Sequence, residues 1–475
     1  MIKYFKEWEL KMKEILPKIN ASTQTRNEMR DSSTFQNKSG CVDNLSPLMQ
    51  SARKGYKDIV SMLLQMGCEI NDTDIKKRSP LYMAASCGRQ EVVEVLLENK
   101  ADINLCDDYG KSPLYAASRE GHAKIIELLI NKSDIDKCDN NGRSPLYVAC
   151  EAGHKQVVEL LVRANATFSN SDHTGASPLY VATQRCKKEV VEYLINLDAK
   201  VNHCDHDGRS PLFIACEEGY IDLVEILLDY QADPSSCDLH DRSPLYMASK
   251  TGNQKVVELL LSKNSEMINC TDDNGWTPLF VACDIGHTNV VQTILEHKPD
   301  VNFCDRLGLS PLHIACSKGH IDIINLLLPR SNINKVDKSN RTSLYTACKL
   351  GHADIAKILL DNKADINIKN KWGASVLYVA CREGNEDVAD LLLKRNFEIN
   401  KCDSNFMPLH KACEEGFFQI VNILIENGVK INKSNQKDQK TALDIAYANG
   451  HDDIVKVLLS RNAKSTQSKK QMSAE

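Results

Sequence analysis

The chain has no long hydrophobic run. Its apolar stretches, such as the one from Val256 to Leu261, last only a few residues and are broken by charge. A membrane-spanning helix needs about 20 consecutive apolar residues, so no membrane insertion is expected. Charge imbalance is also small: 59 Lys and Arg stand against 64 Asp and Glu, a net charge of −5. A nucleic-acid groove or an anionic-lipid surface should be consistently basic, which argues against both partners. The first residues include Lys3, Lys6, Glu7 and Glu9 where a secretory signal requires an apolar core, so secretion is not expected. No Cys-x-x-Cys pair occurs among the 18 cysteines. Clustered zinc ligands are therefore lacking, and neither metal nor cofactor is anticipated. A phosphate-cradling glycine loop and a nucleophile elbow are missing too, so the chain does not read as an enzyme.

What is present is a repeat. The stretch Arg143 to His154, Arg-Ser-Pro-Leu-Tyr-Val-Ala-Cys-Glu-Ala-Gly-His, recurs thirteen times with variations. Its Pro falls at Pro47, Pro80, Pro113, Pro145, Pro178, Pro211, Pro244, Pro278, Pro311 and Pro408, and is replaced by Ser343, Val376 and Ala442. Every step is 32 to 34 residues. Self-similarity at this period marks a stacked array in which each unit buries its apolar face against its neighbours.

One unit predicts its own structure. Asp139-Asn140-Asn141-Gly142 is a turn sequence. Ser144 supplies a helix N-cap and Pro145 suits the first helical position, where its missing N–H has no partner to lose. Leu146, Ala149 and Cys150 form an apolar stripe at helical spacing. Gly153 ends the helix in a left-handed cap. A second helix carries Val157, Val158, Leu160, Leu161 and Val162 on a broad apolar face. Twelve alanines, from Ala84 to Ala446, fall four residues after the marker position. A larger side chain there would push neighbouring helices apart.

Cysteines also run in register. Cys150, Cys216, Cys283, Cys316, Cys348, Cys381 and Cys413 follow the helical Ala. Cys106, Cys138, Cys204, Cys237, Cys304 and Cys402 precede the loop Asp. Packed helices lie about 8–10 Å apart, beyond the roughly 7 Å Cα separation a disulfide allows. The columns read as small residues in a reducing compartment, hence a cytoplasmic protein with nuclear access left open.

The units resemble ankyrin repeats, whose pattern is Asp-x-x-Gly-x-Thr-Pro-Leu-His-x-Ala-Ala-x-x-Gly-His. The resemblance covers about residues 42–463. It implies an all-α ankyrin solenoid of helix-turn-helix units joined by short β-turn or hairpin loops. The family His is kept at His313 and His410, whereas Tyr or Phe fills that slot elsewhere, as at Tyr115, Tyr147, Phe213 and Phe280. The expected organisation is an N-terminal amphipathic helix plus disordered linker over 1–40, the solenoid over 41–463, and a disordered tail over 464–475. Phe5, Trp8, Met12 and Ile15 share one face of that helix. It caps the array, docks a partner, or is instead part of a disordered tail.

Irregularities are expected at three places. Cys186 stands where the helix-ending Gly should be, and Asp241 and Asn340 replace the loop Gly. Loss of Pro in the tenth and eleventh repeats, with Pro329 nearby, predicts looser packing over 329–345. His122, His154, His287, His320, His352 and His451 share one register. They are spread along the stack and so cannot converge on a substrate; their expected role is at the turn between helices.

Family resemblance places partner contacts on loop tips and the exposed end of the first helix. Tip residues then include Tyr109, Trp276 and Trp372, and helix positions include Lys349 and Arg382. Leu239, Trp276, Ile285, Leu307 and Leu309 are apolar at such positions in repeats seven to nine, with Arg242 and Arg306 as a polar rim. Exposed apolar patches mark interfaces, and Trp is enriched in their energetic centres. The alternative is that Trp276 packs on its own loop. Asn104, Asn202, Asn302 and Asn367 resemble asparaginyl-hydroxylase substrates, as is common in this family. The function implied is a non-enzymatic scaffold or adaptor, monomeric, binding one or more proteins. The alternative is a regulatory subunit or substrate receptor for a partner enzyme such as a ubiquitin ligase or phosphatase. No F-box or suppressor-of-cytokine-signalling box is recognised after Ala463, so a receptor would need a partner to supply that link.

Overall fold

The computed structural model describes residues 45–395, 397–401 and 406–465. The expected N-terminal helix and linker, Cys402, and most of the expected tail lie outside the described residues. Among the described residues, twenty-six α-helices form thirteen pairs, with 3-10 turns at Glu266–Asn269 and Ile399–Lys401. No strand occurs among the described residues.

Two compact blocks divide at His206 and Asp207. The described part of the first holds repeats one to five, and the second holds repeats six to thirteen. Within each block, first helices stack on first helices and second on second. In the first block, Pro113–Glu120 packs against both Pro80–Ser86 and Pro145–Ala152. In the second, Pro244–Thr251 packs against both Pro211–Glu218 and Pro278–Ile285.

Local chemistry explains the pairs. In repeat four, Ser144 Oγ accepts from the Tyr147 amide at 3.1 Å, which satisfies one of the orphan donors of the helix Pro145–Ala152. The Gly153 amide donates back to Ala149, and the second helix, Lys155–Arg163, starts at once. Leu146, Tyr147, Cys150, Val157, Val158 and Leu161 are all buried. Each fully buried Val or Leu stabilises by about 1.5–3 kcal/mol relative to exposure. All twelve column alanines are 0 % exposed, the close approach that their size predicts.

The cysteine columns separate by burial. The helical column is fully buried, and burial pushes thiols such as Cys150 and Cys216 far up. Loop thiols are half-buried and donate to the carbonyl two residues back, as Cys106 does to Asn104 at 3.3 Å. No disulfide forms among the described cysteines.

Cys186 adopts φ 54°, and Asp241 and Asn340 adopt φ 57°, the left-handed region their positions demand. The looser packing predicted over 329–345 is not found. Thr342 Oγ1 caps the Tyr345 amide at 3.1 Å, and Ser343, Leu344, Ala347 and Cys348 are buried. Pro at that position contributes a preset φ and no hydrogen bond, so Ser343 can replace it without opening the stack.

Candidate protein-binding surface

In repeats two to ten each loop is built around one Asp, buried in all but repeat five. Asp139 Oδ1 accepts from the Asn141 amide at 2.9 Å and the Arg143 amide at 3.0 Å. Its Oδ2 receives the Arg143 guanidinium at 2.8 Å and, from the preceding repeat, the Tyr115 hydroxyl at 2.9 Å. The same stitch joins Tyr147 to Asp172, Tyr180 to Asp205 and Tyr246 to Asp272, at 2.8–3.2 Å. Burial, followed by the Asp107 charge, pushes the Tyr82 phenol up to about 12. Tyr in the family's His slot therefore ties repeats three, four, five and seven to the next loop. The signal was a Tyr followed 24–26 residues later by a loop Asp.

These carboxylates set a pH dependence. Burial pushes the Asp139, Asp172 and Asp337 carboxyls up, but hydrogen bonds from Arg143, Thr174 and Arg341 respectively outweigh it and hold them below the usual range. A depressed folded-state pKa contributes stability that is complete above the unfolded value, near 3.9 for Asp. That stability is lost as pH falls through the folded value. The melting temperature should hold between about pH 7 and 5 and drop below about pH 4. An unchanged melt at about pH 2–4 would show that the ionised stitches contribute nothing.

On the opposite side of the loop, the histidine column bridges repeats. His154 Nε2 lies 3.1 Å from the Arg119 carbonyl, His287 Nε2 3.1 Å from that of Lys250, and His451 Nε2 3.2 Å from that of Glu414. Asn253 and Asn385 make the same bridge with side-chain amides. The expected role at the inter-helix turn is thus an inter-repeat hydrogen bond. Among the described residues no group of three or more His, Cys, Asp or Glu could hold a metal ion.

The tips that these stitches support include the residues expected to meet a partner, and their exposure differs from one to the next. Leu239 is 72 % exposed, Leu307 64 % and Ile285 47 %. Trp276 and Leu309 are only half-buried and not open tips. The Trp276 ring packs on Phe280 of its own repeat with centroids 4.9 Å apart. Arg242 is not a free rim residue, since Asp238 of its own loop holds its guanidinium. Arg306 is exposed. Backbone bonds stack the three loops: the Asp273 amide donates to His240 at 3.0 Å, and the Arg306 amide donates to Asn274 at 3.1 Å. Leu239 and Leu307 therefore flank the loop of repeat eight.

Asn104, Asn202 and Asn367 are exposed and Asn302 is half-buried. Two of them act as inter-repeat acceptors: Asn104 Oδ1 receives the Asp134 amide at 3.1 Å, and Asn302 Oδ1 receives the Asn332 amide at 2.7 Å. Trp372 is 57 % exposed. It borders a cleft between repeats ten and twelve.

No helix among the described residues is long and apolar enough to cross a membrane. A comparison with curated proteins gives no match. Among solved structures, the chain is similar to the crystal structure of the human ASB11 ankyrin repeat domain. Identity is 26 %, over 46 % of this chain and 98 % of that one, with a TM-score of 0.43. The family model described as ankyrin repeats (3 copies) matches at residues 27–107, 99–172, 114–205, 164–238, 235–305, 297–370, 324–403 and 377–469. With the repeated Ser-Pro-Leu cap, the buried alanine column and paired helices already in place, these matches mean that the chain belongs to the ankyrin repeat family.

Proposed function

We propose that this protein is a non-enzymatic scaffold or adaptor that binds a partner protein on repeats seven to nine. The carrying observation is the pair of exposed leucines, Leu239 and Leu307, at the tips of loops that hydrogen bonds hold in register. Neither leucine contributes to the core, and ordered loops lower the entropy a partner must overcome. Ile285 adds apolar surface on the first helix, and Arg306 supplies a charged edge. Two bound-enzyme versions, a regulatory subunit and a substrate receptor for a ubiquitin ligase or phosphatase, would use the same surface.

The test compares the full chain with a Leu239→Asp, Leu307→Asp double variant as bait in extract of its own cells. A stoichiometric partner should be held by the native chain and reduced at least about tenfold by the variant, with the melting temperature unchanged. A partner held equally by both would place the interface elsewhere. Absence of any stoichiometric partner would overturn the stable-scaffold reading.

A further inference from the structure

A cleft of about 440 Å³ opens between repeats ten and twelve. It exists because Ala374 occupies a register position that carries a larger side chain in its neighbours. Arg341 stands there in repeat ten and Phe406 in repeat twelve. Ala374 is 2 % exposed and leaves the space between them open. One wall is aromatic: Tyr378 and Phe406 meet edge to face at 5.2 Å, with Trp372 beside them.

Among the described residues, the lining of the cleft holds no carboxylate. Repeat thirteen centres its loop on Asn435 and repeats two to ten on Asp, whereas the loop here centres on Asn370. Its Oδ1 accepts the Trp372 amide at 3.0 Å and the Ala374 amide at 2.9 Å. That fixes its orientation, so its Nδ2 must donate to the Tyr345 hydroxyl oxygen, 3.0 Å away. In repeats three to five and seven the equivalent phenol gives its proton to Asp. Tyr345 instead receives a hydrogen bond, and its own proton has no acceptor among the described residues. Tyr345 is only 4 % exposed and lines the cleft. A buried donor without an acceptor calls for one.

Surrounding cations reinforce this. Arg341 is neutralised by Asp337 and Arg382 by Glu383. No carboxylate pairs with Lys349 or Lys371 among the described residues. Lys371 Nζ lies 4.5 Å from the Trp372 ring centroid, which holds a cation beside an exposed aromatic face.

We infer that this cleft is a second docking site, for an acidic segment of a partner protein in which a Glu or Asp carboxylate neighbours an apolar side chain. The carboxylate accepts from the Tyr345 hydroxyl and faces Lys349, and the apolar neighbour lies against Trp372 and Phe406. This goes beyond the surface on repeats seven to nine, which differs in position and in chemistry.

The experiment uses the full chain and fluorescence anisotropy. The probe is a short fluorescein-labelled peptide of alternating glutamate and leucine, with a glutamine-for-glutamate control. The acidic probe should bind in a salt-sensitive way, and the control at least about tenfold more weakly. Lys349→Glu with Lys371→Glu should weaken the acidic probe by about tenfold or more. Ala374→Arg is the deciding variant. It restores the residue that repeats two, four, six, seven and ten carry in this register, and a melting temperature equal to that of the native chain is required of it. It fills the cleft while adding positive charge. Binding should fall about tenfold, and unchanged or tighter binding would reduce the site to diffuse attraction and overturn the inference. No binding of the acidic probe would overturn it too. So would displacement by oligo-dT at equal concentration, which would mark a general polyanion surface. The Leu239→Asp, Leu307→Asp variant should bind the probe as the native chain does. Failure of one site thereby leaves the other standing.

Discussion

Asp139→Ala should open the seam between repeats three and four. Four donors lose their acceptor together: the Tyr115 hydroxyl, the amides of Asn141 and Arg143, and the Arg143 guanidinium. Removing one member of a buried ion pair costs about 3–5 kcal/mol. The Arg143 side chain is 26 % exposed and can turn toward water, which puts the expected cost near the lower bound, about 3 kcal/mol. Asp139→Asn should cost less, roughly 1–2 kcal/mol, because Asn370 already performs this task in repeat eleven. There two amides rest on Oδ1 while Nδ2 meets the Tyr345 oxygen. A repeat array need not unfold in one step, since each unit touches only its neighbours. The readout is therefore amide hydrogen exchange within residues 113–152. Exchange there should quicken roughly a hundredfold for the Ala variant and far less for Asn. Equal protection in native and Ala proteins would refute the stitch as a stabilising element.

Gly121→Val should be as damaging for a different reason. Gly121 ends its helix at φ 81°, a region that costs a residue with a Cβ about 1–2 kcal/mol. Space is the second problem. A Cβ would sit 2.7 Å from His154 Cε1 and Nδ1, and that ring is held by the Arg119 carbonyl at 3.1 Å. Overpacking of this kind costs about 1–3 kcal/mol, so the expected total is about 2–5 kcal/mol. The two terms can be separated. Gly121→Ala combined with His154→Ala removes the clash but keeps the backbone cost. A double-mutant cycle on thermal or exchange stability should show coupling of about 1–2 kcal/mol in favour of the pair. Additive effects would mean that the His ring yields freely and that only the backbone conformation matters.

Both predictions rest on features that were only half legible beforehand. Register alone located Gly121 and His154, but not that the histidine of one repeat lies over the glycine of the previous one. Tyr115 and Asp139 were each visible in their columns. Their hydrogen bond was not, because it crosses a repeat boundary and depends on how far one unit is rotated against the next. Trp276 shows the same gap. Its identity promised an exposed hot spot, but half-burial against Phe280 depends on a neighbour within its own repeat. Leu239 and Leu307 are open as expected, because nothing at a tip packs above them.

The sequence by itself determined the helix pairs, their caps and their stacking. Ser before Pro, Gly after eight residues and Ala at a constant offset act through local backbone preferences and through one repeated packing constraint. Those forces are short-ranged and recur every turn of the array, so a one-dimensional pattern is enough to state them. Only the tertiary structure decided which charges are spent and which are free. Arg242 looked available and is held by Asp238, as Arg341 is by Asp337. Lys349, Lys371 and the Tyr345 proton are left over, because Asn370 replaces one carboxylate and Ala374 leaves one space unfilled. Pairing of that kind depends on angles and distances between side chains from separate loops, which no periodicity encodes.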